Sequence, residues 1–266
     1  MKKLIEYFEK NNIPYDDNLI VRFDAYRSGI LQWNEFVNLT AIRDPEEFTL
    51  KHFVDSAACV LMPEYKKADR IIDVGTGGGF PGVPLALLSP EKEFVLMDSL
   101  KKRLKIIDEL CESIGIKNIK TLHGRAEDLG RSKEHREKYD FCVSRAVANF
   151  STLSEYCLPL VRVGGYMASY KGAGGELELK EATRAIKLLG GEFERWEKTP
   201  LDKDGDEHKV HLLSEKIGYS IERTLKIAFL GVFLFKKVRL FLVGKCYYFP
   251  MRGGASWKRK KGAFYH

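Results

Sequence analysis

The residues best suited to chemistry lie in one run, Ile71-Ile72-Asp73-Val74-Gly75-Thr76-Gly77-Gly78-Gly79-Phe80-Pro81-Gly82. Glycines that follow a short apolar strand let backbone approach a ligand closely, and amides opening the next helix meet its polar groups. Three ligands compete for such a loop. A P-loop for ATP would end in Gly-Lys-Ser/Thr, and this run does not. A dinucleotide loop needs glycine at its first, third and sixth places, and the sixth is Phe80. S-adenosylmethionine has no pyrophosphate to cradle, so Gly75, Gly77 and Gly79 need only pass its methionine and ribose beside Phe80. Asp73 would hold the methionine ammonium directly or through water, and Asp98, after the next apolar run, would take both ribose hydroxyls. The two acids together favour S-adenosylmethionine over NAD. A plain flexible turn is the remaining reading.

Other polar residues follow later apolar runs. Leu122 leads into His-Gly-Arg-Ala-Glu-Asp, where backbone at Ala126 and Glu127 would meet the adenine edge or else simply open a short helix. Arg145 and Lys171 end the fourth and fifth runs. Cations at strand tips over a pocket mouth would meet substrate phosphate or the cofactor carboxylate, which implies an anionic substrate and makes both candidate catalytic residues. His123 reads as a satisfied turn histidine rather than a base. His52 and Asp55, three apart on a predicted helix, read as bracing a domain junction in preference to facing RNA. Trp33 is expected to pack helices together, and Asn38 to cap the turn into the next helix. No metal is expected. The five cysteines, at 59, 111, 142, 157 and 246, form no CxxC pair, which argues against a zinc finger or disulfide scaffold and for a reducing compartment. The aspartates at 202–206 lack the closing glutamate of a calcium loop, since Leu213 stands at the twelfth place.

These side chains must be positioned by a core, and the chain can build one. Its 266 residues are 44% hydrophobic and 30% charged, enough apolar material to exclude a disordered chain, and its formal charge of +7 permits an acidic partner. The opening MKKLIEYFEKNN is interrupted by Glu6 and Glu9, and apolar runs stay short of a membrane span, so a cytoplasmic protein without a signal peptide is expected. Residues 1–67 read as helical, with stripes Leu4, Ile5, Tyr7, Phe8 and Leu19, Phe23, Tyr26, Ile30, punctuated at Pro14 and Gly29. Residues 68–227 alternate strand and helix. The predicted strands are 71–74, 94–97, 119–122, 141–143 and 166–170, the last entered through a Gly164-Gly165 turn, and the predicted helices are 101–114 and 176–189. This is the pattern of a parallel sheet covered on both faces. Further strands are expected at 192–197, 209–213 and 218–227. Residues 228–266 form an aromatic and then basic tail.

The chain resembles the bacterial 16S ribosomal RNA guanine-N7 methyltransferases, the glucose-inhibited division protein B family. The resemblance rests on LQWNEFVNLTAI at 31–42, HFVDS at 52–56, DVGTGGGFPGVPLAL at 73–87, DSLKKRLKII at 98–107, GRAED at 124–128, SRAVA at 144–148 and YKG at 170–172. It implies a class I S-adenosylmethionine-dependent methyltransferase, Rossmann-like, with a mostly parallel seven-stranded sheet and an N-terminal helical extension. The implied reaction is methyl transfer to N7 of a guanine in the decoding-region loop of 16S ribosomal RNA, within a small-subunit particle. Loss of that activity would be linked to streptomycin susceptibility. The family's cofactor contacts fall on Gly75, Phe80, Ala126, Glu127 and Arg145. The expected working form is a monomer without membrane association. The alternatives are a methyltransferase for a different RNA and a nucleotide-binding, ribosome-associated regulator. From Ala228 the chain departs from the family's pattern, either as a strand pair with an RNA-binding tail or as the product of a frame change.

Overall fold

The computed structural model describes residues 1–172, 174–198, 209–215, 239–242 and 245–248. Five parallel strands form its centre: β1 (Arg70–Val74), β2 (Glu93–Asp98), β3 (Ile119–His123), β4 (Tyr139–Arg145) and β5 (Val161–Lys171). Two antiparallel strands, β6 (Gly191–Lys198) and β7 (Lys209–Glu215), complete a seven-stranded sheet of order β3-β2-β1-β4-β5-β7-β6. β1 is the middle strand of the parallel five, with β2 and β3 on one side and β4 and β5 on the other. The order reverses between β1 and β4, and crevices open at such switch points, beyond the carboxyl ends of the strands.

Helices cover both faces. α1 (Lys2–Lys10) and α2 (Asp17–Trp33) precede the short turns α3 (Pro45–Phe48), α4 (Asp55–Ala57) and α5 (Pro63–Lys66), with a π-helical stretch, Thr49–Val54, between α3 and α4. These join α6 (Gly82–Leu88) and α7 (Lys101–Ser113) on one face, where Phe8, Phe23, Phe53 and Phe80 share a buried cluster with Ile71, Leu96 and Phe141. The cluster runs through the expected boundary at 67/68, so the helical region and that sheet face share one core. α8 (Ala126–Leu129), α9 (Phe150–Cys157) and α10 (Gly175–Leu189) cover the other face, over Ile72, Cys142, Met167 and Leu213.

Local chemistry explains the boundaries. α2 begins where Asp16 accepts the Leu19 amide. α7 ends in a Schellman arrangement, with the Ile116 amide on the Cys111 carbonyl and Gly115 at φ +71°. Two expectations need correction. Gly29 does not punctuate a helix but lies inside α2, where a Cβ would stand 2.4 Å from Leu110 of α7. Glycine lets α2 and the Leu110 side chain of α7 approach closely there. β5 is longer than expected, because the Gly164-Gly165 turn is an irregularity within it: Tyr139 pairs with Val161, yet Phe141 pairs with Tyr166. The strand expected at 218–227 and the acidic turn at 202–206 lie outside the described residues, as does most of the 228–266 tail. Within that tail a two-stranded antiparallel pair, β8 (Arg239–Leu242) and β9 (Lys245–Tyr248), is described.

Candidate active site

A cleft of about 400 Å³ opens at the carboxyl ends of β1 to β4. This is within the usual size range of small-molecule sites. Gly75, Asp98, Ala126 and Glu127 line it, four of the residues selected from sequence. Leu100, Val147 and Tyr156 line it too, and sequence reasoning missed these three. Leu100 is 51% and Val147 37% exposed, so the cleft offers two apolar surfaces suited to a flat ring. Ala146, also in the wall, adopts φ +57°, an uncommon conformation for a residue with a Cβ and one that often marks functional loops.

Asp98 is the best-defined polar group of the cleft. It is buried, its Oδ2 accepts the Gly77 amide at 2.9 Å, and its Oδ1 accepts the Leu100 amide at 2.8 Å. An ionised carboxylate has about four lone-pair positions. Two remain for a vicinal diol, and the backbone bonds fix the group's orientation beforehand. Gly75 has φ +74°, and a Cβ there would stand 2.4 Å from Val147. Glycine thus satisfies both the backbone conformation and the close approach of the 146–147 loop. Tyr156 and Glu127 stand together in the cleft wall. Burial, then the charge of Glu127, pushes Glu155 up to about 7.

Asp73 lies beneath the glycine loop, fully buried. Its Oδ2 accepts the Thr76 hydroxyl at 2.7 Å and the Gly82 amide at 2.8 Å, while its Oδ1 has no partner. Burial raises its pKa to about 6, although the two hydrogen bonds and Arg145 pull the other way. That oxygen is closed to solvent and Asp73 is not among the residues lining the cleft, so it has no direct access to a ligand there. Gly77, at φ +59°, has open space where a Cβ would point.

Four selected residues, Gly79, Phe80, Arg145 and Lys171, are engaged away from the cleft lining. Phe80 is buried against the helical region, stacked on His52 at 4.3 Å between ring centroids. Gly79 holds the same contact zone, since a Cβ there would stand 2.2 Å from the Tyr26 hydroxyl. Arg145 is not a free cation over the mouth. Its Nη1 donates to the Lys51 carbonyl and the Asp55 carboxylate, both at 2.9 Å, and its Nη2 donates to His52 Nδ1 at 3.1 Å. Its guanidinium lies 5.6 Å from the Phe80 ring centroid. Lys171 is also engaged, donating to the Ala148 carbonyl at 2.6 Å and to Glu178 at 2.8 Å. The picture of two unpaired cations awaiting an anion is therefore corrected: each neutralises an acid and fixes backbone on its own side of the sheet.

The bracing expected of His52 and Asp55 is what the geometry displays. Arginine can only donate, so His52 Nδ1 must carry a lone pair, and Nε2–H then donates to the Thr40 hydroxyl at 2.7 Å. Burial, then the neighbouring Arg145 charge, lowers its pKa to about 3. His52 is neutral at physiological pH. The π-helical stretch supplies both Lys51 and His52 to this contact, which joins residues more than 90 positions apart. Asn38 is not the cap. The next helix is capped by Asp44, whose side chain accepts the Glu47 amide at 2.8 Å, and the turn itself is held by Asn34, which accepts the Leu39 and Thr40 amides and donates to the Thr40 carbonyl, while Asn38 is exposed. Trp33 packs partly buried against the helical core, as expected. His123 is a turn residue whose Nε2 meets the Ser99 carbonyl at 3.1 Å.

Among the described residues no cluster of three or more His, Cys, Asp or Glu could hold a metal ion, and no helix is long and apolar enough to cross a membrane. Residues 20–203 match a family model described as rRNA small subunit methyltransferase G. The chain is 48% identical over 181 residues to "Ribosomal RNA small subunit methyltransferase G" of Alkaliphilus oremlandii, covering 68% of this chain and 76% of the relative. It is 45% identical over 205 residues to the protein of the same name from Clostridium tetani, covering 77% and 85%. Among solved structures, NSun6 from Pyrococcus horikoshii superposes on 62% of this chain and 52% of its own at TM-score 0.49 and 16% identity, too distant a likeness to carry a functional inference.

Proposed function

The chain belongs to the rRNA small subunit methyltransferase G family, and from that premise we propose that it transfers a methyl group from S-adenosylmethionine to N7 of a guanine in 16S ribosomal RNA, within a small-subunit particle. The observation that carries the reading is Asp98, oriented by two backbone amides at the wall of a cleft of about 400 Å³. Its remaining lone pairs receive the ribose hydroxyls. Leu100 and Val147 flank the adenine, and backbone at Ala126 and Glu127 meets its edge.

When bound, S-adenosylmethionine supplies a methyl carbon that guanine N7 attacks as the carbon–sulfur bond breaks, its electron pair passing to sulfur and the positive charge to the purine. N7 already carries an exposed lone pair, so the chain need not remove a proton. His52 fits this requirement by being unable to act as a base: its Nδ1 is occupied by Arg145, and its Nε2 holds the proton it gives to Thr40. The enzyme's work is alignment, which alone accounts for large rate factors when the reacting atoms are held in line. Arg145 contributes as a positioning residue, joining the strand end that precedes Ala146 to the helical region. Lys171 does the same for the Ala148 carbonyl. The target base must leave its stack, a smaller cost in a single-stranded loop.

The reading is tested by calorimetric titration of S-adenosylmethionine into the protein and its Asp98→Asn variant. Loss of the charge-assisted bonds should weaken binding on the order of tenfold to a hundredfold. Equal affinity in the two proteins would refute the assignment of the cleft.

A further inference from the structure

The charges along α7 run against the helix dipole. Lys101, Lys102, Arg103 and Lys105 occupy its start, while Asp108, Glu109 and Glu112 follow. The first turn holds no acid and the last turn no base. A helix dipole favours the opposite order. α10 obeys that rule, with Glu176 and Glu178 in its first turn and Lys187 in its last. The inversion in α7 therefore has no stabilising role within the helix.

The inverted end is also the end at the cleft. Leu100, immediately before α7, lines the cleft, as do Arg103 and Arg125. Lys101, Lys102, Lys105 and Arg125 are exposed and form no ion pair among the described residues. Arg103 reaches across the rim to the Asn38 carbonyl at 3.4 Å, which fixes the 34–40 turn beside this patch. Two residues earlier, Phe36 is 74% exposed, the most exposed large apolar side chain among the described residues. The Asn34 hydrogen bonds hold the turn that presents it.

We infer that Lys101, Lys102, Lys105 and Arg125, with Phe36, form the surface on which the RNA flanking the target nucleotide docks, the cations meeting phosphates and Phe36 stacking on an unpaired base. The inference rests on the methyltransferase reading above and locates its substrate. Unpaired cations beside an exposed ring suit single-stranded RNA, whose backbone is uniformly anionic and whose bases are free to stack. An acidic protein surface would use the cations but leave the ring without a flat partner.

The test uses the full chain, with small ribosomal subunits lacking the methyl group as substrate and labelled S-adenosylmethionine as donor. A Lys101→Ala, Lys102→Ala, Lys105→Ala triple variant should raise the KM for subunits at least tenfold, with kcat nearly unchanged and calorimetric affinity for S-adenosylmethionine unchanged. The slope of log affinity against log salt should fall by about two, from three lost contacts to single-stranded phosphate. A triple Lys→Arg variant should keep wild-type KM. Phe36→Ala should raise KM by on the order of tenfold without altering the salt slope. A folded triple-Ala variant with wild-type KM and salt slope would overturn the inference while leaving the methyltransferase reading intact. Absence of methyl transfer by the wild-type protein would overturn both.

Discussion

The cations around the cleft divide into an inner and an outer set. Arg145 and Lys171 have side chains only 12% and 10% exposed, and each is paired with an acid. Lys101, Lys102 and Lys105 are exposed and unpaired among the described residues. By residue type alone the two sets look alike. Their surroundings separate them. A cation removed from water must be paired and hydrogen-bonded, so it becomes a structural link. A cation left in water against a helix's electrostatic preference remains available to a ligand.

The largest effect that separates the sets should come from Arg145→Met. It leaves Asp55, which is fully buried, without its guanidinium. The expected loss is about 3–5 kcal/mol in denaturant unfolding, the usual consequence of stranding a buried charge. Adding Asp55→Asn should restore part of it. A single-variant loss below about 1 kcal/mol would place Arg145 with the outer set. Lys171→Met should cost less, about 1–2 kcal/mol, because its partner Glu178 is 36% exposed and water screens that pair.

Acid sharpens the same comparison. His52 titrates near 3 in the folded chain, below its ordinary 6.5. The unfolded chain therefore binds the additional proton first, and stability falls as pH drops from about 6.5 towards 3. Asp73, raised to about 6, acts oppositely, favouring the folded state as pH falls from about 6 towards 4. Replacing His52 with Gln removes the first contribution, so unfolding free energy measured from pH 7 to 4 should decline less than in the wild type. An unchanged decline would show that His52 is not held neutral by Arg145 and burial.

The smallest effect should fall on the outer set and have the reverse sign. Lys101→Glu places an acid where the α7 dipole favours one, so stability should rise by about 0.3–1 kcal/mol while methylation of subunits falls. A thermal melt and a methylation assay on the same preparation test both halves. A variant that loses stability would remove the argument from inverted charge order.

The sequence made the sheet readable because strand and helix periods differ and because turns such as Gly115 and Gly190 carry their own chemistry, both at positive φ. Asp98 and the Ala126-Glu127 turn could be found because a strand's carboxyl end implies a position over the crevice. The direction of Arg145 could not. Strand position places its Cα at the rim, but its partners come from 51–56, through a π-helical stretch that shows no local periodicity. Asn38 presents the same difficulty: its residue type suits a cap, but Asp44 caps the next helix and Asn34 holds the 34–40 turn. Leu100, Val147 and Tyr156 carry no chemical signature, and tertiary placement alone brings them into the wall. The charge order of α7 was legible throughout, since it needs no coordinates.

The central claim is that this cleft serves methyl transfer to RNA. Small ribosomal subunits lacking the modification, incubated with the protein and methyl-labelled S-adenosylmethionine, test it most directly when the labelled nucleotide is mapped. The account predicts label on a single guanine of 16S ribosomal RNA, at N7, and little label with Asp98→Asn at limiting cofactor. Unlabelled RNA from a wild-type protein that still binds S-adenosylmethionine would contradict it.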